Sequence, residues 1–239
     1  MHIKRVDLFP DKYPTTAYYP FNLEVFHKTH SIPLSSAVSF FVGENGTGKS
    51  TLLEAMSYRC QIHIWRGVER RRIEINPYEK GLHEFMDVEW TNGVVPGSFF
   101  ASETFRHFAE SLDEWATADS GVLRYFGGKS LVTQSHGQSL LSFFKARYKI
   151  KGLYLLDEPE TALSPKSQLG LLRLLQEMSR AGHAQFIVAT HSPILLACPG
   201  SRIYSFDHGP IKAIGYEETE HFRIYKGFME DRRGFLKEG

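Results

Sequence analysis

The chain has 239 residues, of which 42% are hydrophobic, 13% aromatic and 23% charged, a composition that is typical of folded globular proteins and excludes a disordered chain. Its 28 Lys and Arg residues against 27 Asp and Glu residues give a formal charge of +1, which excludes a generally basic nucleic-acid coat protein. Cys60 and Cys198 form no CxxC pair, and no apolar run approaches the ~20 residues of a membrane span, so we expect neither a disulfide scaffold, a zinc module nor a transmembrane protein.

The first predicted elements lie before residue 60. Residues 1–35 are rich in Tyr, Phe and Pro, in an alternation that predicts short strands and turns. Val38–Val42 is a compact apolar run followed by a glycine, which predicts a buried strand. Residues 51–56 predict the opening of a helix, so a strand and a helix flank one glycine-rich loop.

The middle of the chain, residues 65–126, is more polar and less periodic than the rest. Asn92-Gly93 predicts a turn within it, and a helix is predicted from about Glu103 to Ala118. An arginine cluster in the same region predicts a solvated charged face as the favoured interpretation. The alternative is a surface that contacts phosphate backbones or acidic partners. This cluster consists of Arg66, Arg70, Arg71 and Arg72.

The final third predicts a strand, a helix and a second strand. The strands are the apolar runs 153–156 and 186–189. Helix start and stop signals lie between them, namely Ser164 as N-cap, Pro165 at the first helical position and Gly182 past the end. The buried stripe predicted for this helix consists of Leu169, Leu172 and Leu175. Fully apolar strands joined by a helix predict an α/β fold with a parallel sheet covered on both faces.

The loop after the first buried strand, residues 43–50, reads GENGTGKS and matches the pattern GxxxxGK[ST] completely. In this pattern the glycines let backbone N–H groups point at phosphate oxygens, and the following helix adds the positive end of its dipole. Lys49 is expected to reach the β- and γ-phosphates and to act in catalysis, and the Ser50 hydroxyl is expected to bind Mg²⁺. A glycine-rich turn that binds nothing is the disfavoured alternative. The predicted nucleotide-binding residues here are Gly43, Glu44, Asn45, Gly46, Thr47, Gly48, Lys49, Ser50 and Thr51.

The second chemical motif is an apolar strand that ends in two adjacent carboxylates, Asp157 and Glu158. Two carboxylates at such a position are costly unless a cation lies beside them. Asp157 is therefore expected to hold Mg²⁺, and Glu158 to polarise the attacking water. The alternative is an acidic turn that faces solvent. Together the two motifs predict a P-loop NTPase.

Three further segments resemble the ABC-type ATPase superfamily in their order and separations. The signature-like segment QSHGQ covers residues 134–138, and Ser135 lies 22 positions before Asp157. The segment 160–165 follows the carboxylates directly, as a D-loop does, and His191 lies 34 positions after Asp157. The resemblance covers roughly residues 36–197, and is closest to the soluble, stand-alone ATPases related to the structural-maintenance-of-chromosomes (SMC) and DNA-repair branch.

The resemblance implies an ABC-ATPase-like α/β fold with a mostly parallel sheet, flanking helices, an antiparallel β portion and a small helical insert. It implies one domain over residues 1–239, with a helical or variable insert at about 60–130. The interval between the P-loop and the signature has no heptad pattern and is too short for the long coiled-coil arm of chromosome-maintenance proteins.

The resemblance also implies roles for individual residues. Ser135, Gly137 and Gln138 correspond to the signature, which contacts the γ-phosphate bound by the opposite subunit. His191 corresponds to the histidine that senses the γ-phosphate in its own subunit. The alternatives are a polar turn before a helix for the signature and a strand-end cap for His191. The signature departs from the usual LSGGQ, because Gln134 replaces the leucine and His136 the first glycine.

Two further functions of the family lack an obvious residue. No glutamine stands at the Q-loop position, where Glu103 is the candidate for a contact with metal-bound water. An exposed glutamate in the first turn of a helix, where it suits the helix dipole, is the alternative. Candidates for stacking on adenine are Tyr18, Tyr19 and Phe26, each of which is equally compatible with packing in the core or in a turn.

These residues predict a cytoplasmic ATPase that binds ATP with Mg²⁺, forms a homodimer around ATP and acts on an unknown protein or nucleic acid. The alternative is the nucleotide-binding subunit of a membrane transporter, which is less expected because both the Q-loop and the signature are altered. A third possibility is a nucleotide-controlled binding module, such as a defence or toxin-associated switch, in which hydrolysis is a timer.

Overall fold

The computed structural model describes residues 1–64, 76–126, 128, 130, 132 and 136–236. Its strands are β1 Ile3–Leu8, β2 Ser31–Pro33, β3 Val38–Val42, β4 Met86–Trp90, β5 Gly97–Ala101, β6 Gly152–Asp157, β7 Ala184–Ala189, β8 Arg202–Ser205 and β9 Lys212–Ile214. Its α-helices are α1 Glu24–His27, α2 Lys49–Arg59, α3 Ser102–Ala118, α4 His136–Arg147, α5 Pro165–Arg180, α6 Pro193–Leu196, α7 Glu220–Glu230 and α8 Arg232–Phe235. Short 3₁₀ helices cover Pro10–Lys12, Gly81–Phe85, Ser120–Phe126, Pro159–Ala162 and Tyr216–Glu218.

The larger sheet has six strands in the order β5-β6-β7-β3-β8-β9, and only the edge pairing of β8 with β9 is antiparallel. All residues of β3 and β7 are buried, and only the last residue of β6 is partly exposed. Burial on both faces explains why these strands read as continuous apolar runs. The predicted α/β architecture with a mostly parallel sheet is confirmed. Because β3, β6 and β7 run in the same direction, the segments that follow them meet at one edge.

Alternate residues of the central strands face two hydrophobic clusters. Phe40 packs with α3, α4 and α5 on one face of the sheet, in a cluster that includes Phe105, Phe144 and Leu171. Phe41 faces the opposite cluster, which contains residues of α2 and of the smaller sheet. The helices therefore cover both faces of the sheet, as the sequence predicts.

The smaller sheet is antiparallel, with the order β2-β1-β4, and confirms the predicted antiparallel portion. Gln185, a fully buried residue of β7, joins it to the larger sheet. Its Oε1 accepts the backbone N–H groups of His2 and Ile3 at 2.6 and 2.7 Å, and its Nε2 donates to the carbonyl of Leu34 at 3.0 Å. These bonds satisfy backbone groups at the start of β1 that would otherwise be buried without partners.

Helix α5 has the predicted termini but a different buried face. Ser164 Oγ accepts the N–H of Ser167 at 3.3 Å, and Gly182 adopts a positive φ of 74° after the last turn. The predicted stripe is wrong at Leu169, which is 43% exposed. The side chains that α5 buries are Leu171, Leu174, Leu175 and Met178. Each step of three residues falls short of a full helical turn, so Leu169 and Leu175 point about 120° apart around the helix axis. Leu169 therefore lies away from the core.

The region of the predicted insert contains strands as well as helix. β4 pairs with β1 in the smaller sheet, and β5 pairs with β6 in the larger sheet. The helix predicted from Glu103 to Ala118 is confirmed as α3. The arginine cluster at 66 and 70–72 lies outside the described residues, and the insert boundaries and the single domain stay predictions. None of the helices in the described ranges is long and apolar enough to cross a bilayer.

Candidate nucleotide site

The glycine-rich loop connects the end of β3 to the first residue of α2, as its motif predicts. Gly48 adopts a φ of 100°, and a Cβ at this position would lie 2.8 Å from Cζ of Phe26. Gly43 has a φ of 148°, and a Cβ there would lie 2.9 Å from a carboxylate oxygen of Asp207. Both positions therefore require glycine, because any side chain would be strained and would collide with a neighbour.

Lys49 is almost completely buried, with 4% of its surface exposed. Its Nζ donates to the carbonyl of Gly43 at 2.6 Å and to that of Glu44 at 2.8 Å, so the loop wraps around the ammonium group. Burial lowers the pKa of Lys49, and the nearby carboxylates of Glu158 and Asp157 oppose this shift. A buried ammonium at the centre of a loop is a fixed positive charge for an anion to approach.

Asp157 stands at the end of β6 and accepts a hydrogen bond from Ser50 Oγ at 2.9 Å. The two residues predicted to share Mg²⁺ are therefore in direct contact. Burial raises the pKa of Asp157 to about 7, a shift that the Ser50 hydrogen bond opposes and the charge of Glu158 increases. The charge of Lys49 also opposes the shift, but the effect of burial is larger than both opposing contributions.

Glu158 adopts the left-handed conformation, with a φ of 45° and a ψ of 52°. Its carbonyl oxygen accepts hydrogen bonds from Ser102 Oγ at 2.6 Å and from Thr161 Oγ1 at 2.9 Å. These bonds hold a backbone conformation that is unfavourable for a non-glycine residue. The carboxylate of Glu158 lies near His191, whose Nε2 is 3.7 Å from Glu158 Oε1.

His191 follows β7, and two side chains hold it there. Its backbone N–H donates to Glu160 Oε1 at 2.6 Å. Its ring nitrogen Nδ1 lies 2.8 Å from Nε2 of His221, in the first turn of α7. Burial lowers the pKa of His191, and the charge of Lys49 lowers it further. His191 is therefore neutral at pH 7 and takes part as a hydrogen-bonding group rather than as a cation.

A cavity of about 500 Å³ lies beside these residues. Its wall includes Ser50, Asp157 and Glu158, together with Glu103 at the start of α3. Glu54 adds a fourth carboxylate. The structure thus brings Glu103 to the predicted metal residues, although it is also an exposed residue in the first turn of a helix. Within the described ranges no group of three or more His, Cys, Asp or Glu side chains could hold a metal ion.

The three aromatic candidates for adenine stacking occupy different environments. Phe26 is completely buried beneath Gly48, so it belongs to the core. Tyr18 and Tyr19 are 51% and 36% exposed. The hydroxyl of Tyr19 bonds to Thr51 Oγ1, and both residues line a second cavity next to the start of α2. Tyr19 is therefore the exposed aromatic candidate whose side chain contacts a predicted nucleotide-binding residue.

The signature-like segment is described in part. Ser135 lies outside the described residues, whereas Gly137 and Gln138 lie in the first turn of α4. A Cβ on Gly137 would be 3.5 Å from the carbonyl of Ala162, a residue that lines the same cavity as Asp157 and Glu158. The roles assigned to these three signature residues stay predictions.

Two partners of the predicted site residues were missed by the sequence analysis. Asp207 follows β8, and its Oδ1 accepts the backbone N–H of Glu44 at 2.8 Å. The position of Asp207 after a parallel strand is a signal that could have identified it. His221 lies in a C-terminal helix, and no local pattern in the sequence links it to His191.

Two family models match parts of the chain. One, described as "AAA domain, putative AbiEii toxin, Type IV TA system", matches residues 135–197. The other, described as "P-loop containing region of AAA domain", matches residues 20–76. The two matched regions contain the glycine-rich loop, the paired carboxylates and His191.

Curated relatives are ATP-binding proteins of transporters. The chain is 27% identical over 206 residues to a "Putative ABC transporter ATP-binding protein" of Sulfurisphaera tokodaii, covering 79% of this chain and 41% of the relative. The chain therefore spans less than half the length of that relative. It is 26% identical to "Phosphonates import ATP-binding protein PhnC 2" of a Synechococcus species, covering 87% of this chain and 82% of the relative.

Solved structures share the fold at low sequence identity. An ATP-binding cassette of an ABC transporter in its ADP conformation superimposes with a TM-score of 0.57 and 16% identity, covering 95% of this chain and 99% of that one. The SMC head domain from Thermotoga maritima superimposes with a TM-score of 0.51 and 18% identity, covering 90% and 98%. At these identities the likeness shows the fold alone.

Proposed function

Because the chain belongs to the ABC-type P-loop ATPase superfamily, we propose that it binds ATP with Mg²⁺ and hydrolyses it to ADP and phosphate. The observation that carries this proposal is the convergence of a buried Lys49, the Ser50–Asp157 pair and the Glu158–His191 pair at one edge of the sheet. They come from segments that follow three different strands, and Ser50, Asp157 and Glu158 line one cavity.

In the proposed reaction, Lys49 binds the β- and γ-phosphates from inside the loop. Glu158, which lines the cavity, accepts the proton of the attacking water. His191 donates from Nε2 to an oxygen of the γ-phosphate. Backbone N–H groups of residues 45–49 and the hydroxyl of Thr51 complete the phosphate contacts.

The residues fit a magnesium ion on the grounds of donor chemistry. Ser50 and Asp157 offer hard oxygen ligands, Glu103 is placed to contact a bound water, and burial raises the pKa of Asp157, which a bound cation would lower. Few protein ligands are needed, because phosphates and waters complete the octahedron that Mg²⁺ prefers. When bound, Mg²⁺ would neutralise negative charge that develops on the phosphates.

The raised pKa of Asp157 predicts a pH-dependent affinity for Mg²⁺. In the folded protein this carboxyl holds a proton up to about pH 7, and it must lose that proton before its oxygen can ligate a cation. The affinity should therefore fall as pH decreases below 7, approaching tenfold per pH unit, and be constant above it. Calorimetric titration of the ADP complex with Mg²⁺ from pH 5.5 to 8 measures this slope.

Asp157→Asn is the matched control for this titration, because it keeps the shape and cannot titrate. Protonation of the nucleotide contributes equally to both proteins, so the difference between them isolates Asp157. Identical slopes for the two proteins would contradict a proton on Asp157 in this pH range.

We further propose an ATP-dependent homodimer, in which Ser135, Gly137 and Gln138 of one subunit close the γ-phosphate site of the other. Support comes from the resemblance of the signature and from the open side of the cavity bounded by Glu158. Closure would then act on, or time the action of, a protein or nucleic acid in the cytoplasm, as in stand-alone ATPases related to SMC proteins.

The second candidate is a transporter subunit, which the descriptions of the curated relatives favour. The altered signature and the absence of a Q-loop glutamine favour the stand-alone enzyme. Affinity purification of the Glu158→Gln variant with ATP, from detergent-solubilised and from soluble fractions, separates the two. A stoichiometric hydrophobic membrane subunit would establish the transporter function, whereas a soluble protein or nucleic acid retained only with ATP would support the stand-alone function.

A further inference from the structure

The first turn of α7 places His221 against His191, and nothing in the motif order assigns a role to it. On the basis of the proposed ATPase function, we infer that His221 is a positioning residue, which donates its Nε2–H to His191 Nδ1 and keeps the proton of His191 on Nε2. His191 Nε2–H then faces Glu158 and the γ-phosphate site as a hydrogen-bond donor.

The geometry leaves two arrangements of protons. The two nitrogens are 2.8 Å apart, and the ring planes are inclined at 57°, so a single N–H lies between the rings when both are neutral. Burial lowers the pKa of both histidines, which keeps both neutral at pH 7. Either His191 donates from Nδ1, or His221 donates from Nε2.

The surroundings of the outer nitrogens distinguish these arrangements. His191 Nε2 and His221 Nδ1 are both buried, and neither has a hydrogen-bond partner within the described residues. If His191 donated from Nδ1, its Nε2 lone pair would lie 3.7 Å from the Glu158 carboxylate, and His221 would bury an unpaired N–H. Two electron-rich atoms at this distance repel each other, and an unpaired buried N–H is rarer than an unpaired acceptor.

When His221 donates from Nε2, the repulsion between His191 and Glu158 and the cost of an unpaired buried group are both smaller. His191 Nε2–H faces the carboxylate of Glu158, which is an attractive contact, and His221 Nδ1 remains as an unpaired acceptor. The same N–H is the group that can donate to a γ-phosphate oxygen. The arrangement in which His221 donates is therefore the one that prepares His191 for its proposed role.

Several contacts hold the first turn of α7 in the position from which His221 reaches His191. Thr219 caps the helix by accepting the N–H of Phe222 at 3.2 Å, and Phe222 packs on Tyr216 with 4.7 Å between ring centroids. The hydroxyl of Tyr216 donates to the carbonyl of Pro193 at 3.0 Å, in the segment that follows His191. His221 is therefore held against the loop of His191 by contacts on both sides.

Two variants of equal length test this inference. His221→Gln keeps an amide N–H near the position of the ring Nε2–H, whereas His221→Met has similar length and cannot donate. Ring ¹⁵N chemical shifts of His191, assigned by their loss in His191→Gln, report its tautomer in the nucleotide-free protein. We expect the Nε2–H tautomer in the wild type and in His221→Gln, and a substantial Nδ1–H population in His221→Met.

Steady-state turnover provides the second measurement. We expect kcat of His221→Met to fall about tenfold with little change in KM, the scale of a weakened hydrogen bond to a charged group, and His221→Gln to recover most of it. Tyr225→Met, at an exposed position one turn further along α7, is the control for a general effect of methionine in this helix.

The two measurements separate this inference from the proposed function. The tautomer is observed without ATP, so an inactive protein with the Nε2–H tautomer supports the positioning by His221 and refutes only the ATPase proposal. An Nδ1–H tautomer in the wild type overturns the inference. The inference is also overturned if His221→Met leaves the tautomer of His191 unchanged. The same holds if His221→Gln and His221→Met lower kcat equally and neither changes that tautomer.

Discussion

Glu158→Gln is expected to hydrolyse ATP at least ~100-fold more slowly than the wild type while it still binds ATP. The amide preserves the size of the side chain and its left-handed backbone, but it cannot accept a proton from water. Because Lys49, Ser50 and Asp157 are unchanged, the phosphates keep their contacts. Phosphate release measured at saturating ATP gives the rate, and calorimetry at low temperature gives the affinity.

Glu177→Gln, an exposed carboxylate on α5, is the control for the loss of one negative charge. It should hydrolyse ATP at the rate of the wild type. Turnover of Glu158→Gln within a few fold of the wild-type rate would contradict the role of Glu158 and would assign proton transfer to another group. A parallel loss of ATP affinity would instead indicate a role in binding.

Lys49→Ala is expected to bind ATP about 10- to 150-fold more weakly, which corresponds to the ~1.5–3 kcal/mol of a hydrogen bond to a charged group. The lost ammonium is buried within the loop, where its interaction with phosphates is screened less than at a surface. Calorimetric titration with ATP and Mg²⁺ measures the change in Kd.

Lys212→Ala removes one exposed positive charge from the edge strand β9 and serves as the comparison for Lys49→Ala. We expect it to bind ATP as tightly as the wild type. Equal affinity in Lys49→Ala and Lys212→Ala would show that the glycine-rich loop does not bind the nucleotide through its lysine, and would remove the basis of the proposed site.

Local patterns predict the central part of this site well. The strand β3, the loop of residues 43–50 and the start of α2 are specified by a contiguous motif in which each residue type has a local reason. Asp157 follows an apolar strand, and parallel strands carry their carboxyl ends to one edge, so its meeting with Ser50 is also predictable.

Contacts between distant segments account for what the sequence does not predict. The bond from Glu44 to Asp207 and the pair of His191 and His221 depend on how β8 and α7 pack against the rest of the protein. Gln185 is similar, because a glutamine in an apolar strand has no visible purpose until β1 lies beside it. The exposed Leu169 shows the opposite error, in which a local spacing suggests burial that tertiary packing does not provide.

The proposed homodimer would close the cavity that Glu158 lines. A loop that binds phosphates from one side leaves the outer oxygens of the γ-phosphate accessible to water. A second copy related by two-fold symmetry would close two such sites at once, and each subunit would contribute residues to both. Blocked hydrolysis should make that closed state long-lived.

Sedimentation of Glu158→Gln with and without ATP and Mg²⁺ tests the proposed dimer. We expect a monomer without ATP and a dimer with it. The double variant Ser135→Arg with Glu158→Gln should bind ATP yet remain monomeric, because arginine at the signature position obstructs closure. A Glu158→Gln protein that binds ATP but stays monomeric at high concentration in both conditions would contradict the shared site.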